Sequence, residues 1–152
     1  MPEDQLPVEP PIHRRLAVDL FNHVWALLDK PERTAAENDE MLHAAHASRH
    51  HWGVVGTAIN WARGEWQVSR VYAVLGRAEP ARFHAQRCLD WCEADGLKDF
   101  DLAFAFEALA RAERLAGNEI ARAGYRLQAH AAGEQIAEAD DREWFFKNLE
   151  TA

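Results

Sequence analysis

The stretch SRVYAVLGRAEPA, residues 69–81, decides the fold. Tyr72 and Leu75 close an apolar helical pattern that stops at Gly76, and a second helix opens near Glu79 with Pro80 in its first turn. Glycine just past the last periodic residue ends a helix because it takes the left-handed conformation without a Cβ penalty. Proline in a first turn is harmless, since its missing N–H would have no intrahelical partner there. The residues therefore spell helix, tight turn, helix, and so short a connection makes the two helices antiparallel neighbours.

In both directions from this turn, Ala, Leu, Arg, Glu and Gln fill segments of 3.6-residue periodicity, and period-2 alternation is missing. The pattern predicts helices over 12–29, 35–52, 57–76, 79–96, 99–116 and 119–137, with a short one over 141–149. Pro31 stops the first of these. Thr34 with Glu37 three residues on has the spacing of a capping box at the start of the second. Gly53-Val54-Val55-Gly56 reads as a link between helices. Residues 1–11, which include Pro2, Pro7, Pro10 and Pro11, are expected to form a flexible, extended leader ahead of a single domain over 12–152.

The helix–turn–helix unit recurs. Gly76 and Gly117 lie 41 residues apart, and Trp25–Asp29, Tyr72–Gly76 and Glu113–Gly117 occupy matching helix ends. Such self-similarity is the mark of a stacked repeat. Tyr72, Leu75-Gly76 and Ala81, with Ser69 one turn before the tyrosine and Leu89 in the next helix, resemble a tetratricopeptide repeat whose second helix is stretched beyond the usual unit of about 34 residues. The unit from Phe106 to Ile136 keeps a small Ala110 and Gly117 but has Glu113 at the tyrosine place. Asn22, Trp25 and Asp29 make a looser copy at the start.

The resemblance implies an all-α fold: a right-handed α–α superhelix of about three hairpins with a short capping helix, whose first helices line a concave groove. On that groove it puts Arg63, Trp66 and Arg70 from one repeat, Glu107, Arg111 and Arg114 from the next, and His23 from the first. Arginine forks grip carboxylates bidentately, and an aromatic beside them offers desolvated contact area. A protein-binding adaptor or regulator holding an acidic peptide segment or a C-terminal carboxylate is the function this implies. Alternatively, the same arginines pair with Asp19, Glu65 and Glu107 as ordinary salt bridges.

Composition narrows the classes. The chain has 152 residues, 48% of them hydrophobic and 28% charged, which suits one core of ordinary size. A net charge of −8 opposes long-range attraction to nucleic acid or an anionic membrane. No apolar run approaches the roughly 20 residues of a membrane helix. The acidic, proline-punctuated start lacks the pattern of a secretory signal, so a cytoplasmic location is expected. Cys88 and Cys92, one helical turn apart, read as reduced packing residues.

The segment 39–52 carries a second pattern. Met41, Ala44, Ala45, Ser48 and Trp52 gather on one helix face, and Asp39, His43, His46 and His50 gather within about 60° of one another on the opposite face. His46 and His50 have the i, i+4 spacing with which two imidazoles chelate a divalent transition metal, so a metal-binding or small-molecule-processing protein using His43, His46 and His50 is the second functional reading. His43 and His50 are two turns apart, so further ligands must come from elsewhere. A solvated helix face, or a pH-responsive one, explains the stripe equally. Catalytic constellations are thin, and the leading reading is a non-enzyme without a cofactor. Only His50, Arg63, Glu65 and Arg70, if they share a cavity, offer acid–base chemistry. Trp25, Trp52, Trp61, Trp91 and Trp144 are expected in cores. A homo-oligomeric structural protein, joined through the end hairpin or through Trp144-Phe145-Phe146, is the third reading.

Overall fold

A computed structural model describes residues 7–152, among which there are seven helices and no strand. They are α1 (Pro10–Leu28), α2 (Ala35–Val55), α3 (Ala58–Val74), α4 (Ala78–Asp95), α5 (Asp99–Ala116), α6 (Glu119–Glu134) and α7 (Ala139–Leu149). None of them is long and apolar enough to cross a membrane. The expectation for residues 1–6 lies outside the described residues, and the leader does not extend to residue 11. Pro10 and Pro11 belong to the first turn of α1, where a proline removes no helical hydrogen bond. The supposed link at Gly53 is also helix: α2 runs on to Val55 and ends at Gly56. Gly53 lies beside the guanidinium of Arg49, a place where a larger side chain would crowd. The expected capping box is present, with Glu37 N–H donating to Thr34 Oγ1 at 3.1 Å and Thr34 N–H donating to Glu37 at 2.9 Å.

α1 packs along α2, α3 along α4 and α5 along α6, giving three hairpins. α2 then meets α3, and α4 meets α5, so the hairpins stack in chain order. α1, α3 and α5 also approach one another in succession along one side, whereas the backbones of α2 and α4, and of α4 and α6, stay farther apart. The odd helices therefore share an inner face, and α7 lies across α5 and α6 at its far end. The turns that set this order close on left-handed glycines. Gly76 and Gly117 both have φ of 75°, and the N–H after each returns to a carbonyl of the last helical turn, at 2.9 and 3.0 Å.

Apolar packing follows the stacking. Val24, Leu27, Met41, Val68 and Val71 join α1, α2 and α3. Ala62, Ala85, Leu89, Ala105 and Leu109 join α3, α4 and α5, and Phe104, Ala129, Phe145 and Leu149 join α5, α6 and α7. Two buried serines let helices approach closely while their hydroxyls stay satisfied: Ser48 donates to the Ala17 carbonyl at 2.7 Å and Ser69 to the Ala81 carbonyl at 2.8 Å. Gln67, also buried, donates to the Phe21 carbonyl at 3.0 Å and pins α1 to α3.

The seat of α7 depends on a missing side chain. A Cβ at Gly133 of α6 would overlap the ring of Phe145, which is wholly buried, whereas a Cβ at Gly124 of the same helix would meet nothing. Gly133→Ala is accordingly expected to destabilise by about 1–3 kcal/mol through overpacking. Gly124→Ala is expected to stabilise by roughly 0.5–1 kcal/mol through helix propensity. Thermal melts of the two variants beside the parent should move in opposite directions; a melting temperature unchanged in Gly133→Ala would contradict this account of α7.

Candidate functional site

The inner face holds a recess of about 400 Å³ between α1, α3, α5 and α7. Its walls are Phe21 and Trp25 of α1, Trp66 of α3, Phe100 and Phe104 of α5, and Trp144 of α7, backed by the small side chains of Ala62 and Cys88. The void exists because large aromatic rings are propped around residues too small to fill it. Trp66 is the centrepiece. Trp25 stacks on it with centroids 5.5 Å apart, Phe104 meets it edge-on at 5.5 Å, and the guanidinium of Arg70 lies 5.0 Å from its ring centroid. Its indole N–H is shielded from solvent and has no hydrogen-bond partner among the described residues.

Three ionisable side chains border the recess. Arg63 and Asp101 form a bidentate pair, with Nε and Nη2 donating at 2.8 and 3.3 Å. That hydrogen bond pushes the Arg63 guanidinium up, against the opposing pull of burial. Asp141, at the start of α7, is exposed and forms no ion pair or side-chain hydrogen bond among the described residues.

The expected arginine ladder is present on this face but closed. Arg70 and Arg111 converge on the carboxylate of Glu107, which is 0% exposed, at 3.1 and 2.6 Å. Burial pulls Arg70 down from its ordinary value, and Glu107 opposes that pull. Arg111 also donates to the Asn148 carbonyl and to Thr151 Oγ1, both at 2.9 Å. Arg114 donates to the Thr151 carbonyl. Arg122 and Arg126 of α6 hold the Ala152 main-chain oxygen, each at 2.8 Å. The chain's own residues 148–152 thus occupy the guanidinium groups. His23 stands apart from the recess, hydrogen-bonded to Glu40 at 3.1 Å along the α1–α2 seam.

The acid–base grouping of His50, Arg63, Glu65 and Arg70 does not form. Glu65 points to the other side of α3, where its buried carboxylate takes His84 at 2.6 Å, Arg87 at 3.0 Å and Arg49 at 3.1 Å. Gly64 leaves the room through which Arg49 reaches it. Burial pushes the Glu65 carboxyl up, but hydrogen bonds from His84 and Arg87 and the charge on Arg49 outweigh it and hold it below its ordinary value. The histidines of α2 do not converge either. His46 hydrogen-bonds the Tyr72 hydroxyl at 2.8 Å, His43 lies 3.5 Å from Asp39, and His50 packs edge-on against His51. His46 is exposed yet touches α3 and α4 through Tyr72 and His84, and partial burial followed by the charge of His84 pulls it below its ordinary value. Among the described residues no three His, Cys, Asp or Glu side chains gather as a metal would require.

Phe21, Phe100, Asp101 and Asp141 line the recess without having been singled out in the sequence, and Trp25 and Trp144, expected in cores, line it with them, Trp144 being 53% exposed. Phe21 with Trp25, and Phe100 with Phe104, are aromatic pairs at i, i+4 on odd-numbered helices, and that spacing is the signal that marks them. Asp141 and Trp144 have no such signal, because only the packing of α7 on α5 and α6 brings them to the recess. No family model matches this chain, and no characterised protein or solved structure matches it either.

The Glu65 cluster sets a pH dependence. A carboxyl held below its ordinary value of 4.5 stabilises the fold fully above that pH, and the contribution is lost as acidification protonates it. Glu65→Gln should therefore lower the melting temperature at pH 7, by leaving Arg49, Arg87 and His84 without their counter-charge. The gap to the parent should narrow as pH falls from about 6 to about 3. Parallel melting curves across that range would show that Glu65 is not the titrating group.

Proposed function

We propose that this chain is a binding module, a divergent tetratricopeptide-like adaptor that holds a segment of a partner protein on its inner face. The recess carries the reading: about 400 Å³ walled by aromatic side chains falls in the size range of sites that take a side chain or small ligand. Two observations support a polypeptide as the occupant. The adjoining surface of α5 and α6 already holds a stretch of polypeptide, residues 148–152, through main-chain oxygens gripped by Arg111 and Arg114 of α5 and Arg122 and Arg126 of α6. The rings of Trp25, Trp66, Phe104 and Trp144 that wall the recess offer the aromatic contact area on which protein–protein anchors rest. An acidic segment, the occupant first suggested by Arg70 and Arg111, has less to attract it, because Glu107 neutralises both. The free, buried Cys88 and Cys92 are in keeping with a reducing compartment such as the cytoplasm.

Trp144 is the wall most open to a partner, at 53% exposed, and its removal leaves the buried packing alone. Selection of random 12-residue peptides on the folded chain should yield binders, and Trp144→Ala should raise their Kd at least about ten-fold. The melting temperature should stay within about 2 °C of the parent, as for surface substitutions. Selected peptides that bind Trp144→Ala as well as they bind the parent would remove the recess as the binding surface.

A second reading, self-association, is favoured by the outer face of α6, where Ile120 is 91% and Leu127 74% exposed. These residues stand two turns apart at the open end of the stack, where a further hairpin of the same kind would pack. The alternative contact through Trp144-Phe145-Phe146 has less to offer, because Phe145 is buried within the chain itself. Light scattering should give a dimer mass for the parent and a monomer mass for Ile120→Glu/Leu127→Glu; a monomeric parent at about 100 µM rejects this reading.

A further inference from the structure

We infer that the recess selects a positively charged group on an apolar stem, a lysine or arginine side chain of the bound segment. The inference rests on the reading of the recess as a peptide site and names what that site prefers. Of the three ionised groups at its border, Arg63 and Asp101 cancel each other through their two hydrogen bonds. Asp141 is near enough to Arg63 to favour its charge but forms no ion pair among the described residues, so the border holds two acids to one base beside Trp144, one turn away on α7. The local balance is one negative charge against an aromatic wall. That combination suits a cation whose methylene stem lies on the rings while its head reaches the acid.

The surroundings reinforce the sign. Glu138, Asp140 and Glu143 flank Asp141 on the exposed surface around the start of α7. Lys147 is drawn to Glu143 at 3.5 Å, and Arg142 is turned to the Ile136 carbonyl at 2.9 Å. Arg70 and Arg111, the further arginines of the inner face, are committed to Glu107. The chain as a whole carries −8, so the long-range field also draws basic segments toward it. Aromatic faces contribute to cation binding without requiring a second acid, so a single aspartate suffices for preference over a neutral side chain of the same length.

The test uses three small probes of known charge on the full chain: the N-acetyl, N-methylamide derivatives of arginine, norleucine and glutamate. Binding is read from the indole N–H resonances of Trp66 and Trp144 during NMR titration. The expected result is a saturable shift with the arginine probe at a Kd at least about five-fold below that of the norleucine probe, with the glutamate probe weakest. In Asp141→Asn the arginine and norleucine values should come within two-fold of each other. Equal affinity for arginine and norleucine in the parent, or preference for glutamate, overturns the charge preference while the recess remains a peptide site. Absence of a saturable shift with all three, together with selected peptides that ignore Trp144→Ala, overturns the peptide reading and this inference with it.

Discussion

A carboxylate buried without a counter-charge is among the least tolerable features a small protein can contain, and this fold is organised around supplying counter-charges to two buried carboxylates. Glu107 lies at the meeting of α3, α5 and α7, closed by Arg70 and Arg111. Glu65 lies at the meeting of α2, α3 and α4, closed by Arg49, His84 and Arg87. Each acid sits on an odd-numbered helix and draws a cation from at least one neighbouring helix, so neither charge is satisfied unless the hairpins are stacked in register. Apolar packing alone constrains register more loosely, since alanine-rich faces can slide. Breaking such a pair strands a charge at a cost of roughly 3–5 kcal/mol, a large share of the stability of a domain this size. Arg82 with Glu113 repeats the device at the α4–α5 seam, at 2.5 Å.

The same arrangement decides what the inner face can bind. A row of arginines beside a tryptophan reads as an anion receptor for as long as the guanidinium groups are free. Once Glu107 takes Arg70 and Arg111, and residues 148–152 take the remaining donors, the face is left with aromatic surface and one uncompensated aspartate. α7 has two parts in this. Its buried side, Phe145 and Leu149, completes the packing of the last hairpin. Its exposed side, Asp141 and Trp144, supplies a wall and the charge of the recess. The Trp66 indole, stacked by Trp25 on α1 and approached by Arg70, links the recess to the ion pair behind it.

Helix boundaries were legible because their causes are local. Gly76, Gly117, Pro31 and the Thr34–Glu37 box each act within a few residues, and the expected and observed ends agree closely there. The misses are also physical. Pro10 and Pro11 read as leader because proline breaks helices, yet in a first turn it breaks nothing. Gly53 read as a stop, yet Gly56 closes α2 and Gly53 continues it alongside Arg49. His46 is exposed, as the helical wheel of α2 implies, but its contacts with Tyr72 of α3 and His84 of α4 were hidden, because a wheel shows one helix without its neighbours.

By itself the sequence determined the secondary structure, the pairing of successive helices and the presence of a repeated unit, because periodicity, capping and short turns are short-range effects. It also placed Trp66, Arg70, Glu107 and Arg111 on shared faces, since helical spacing dictates which side chains are neighbours along one helix. Which arginine meets which glutamate, which tryptophans surround a void, and whether a charge remains free were decided only by the tertiary structure. Those outcomes depend on contacts between residues far apart in the chain, such as Arg63 with Asp101 and Arg111 with Thr151. A sequence pattern specifies the side chains available, and the stacking of the hairpins specifies which of them are already satisfied.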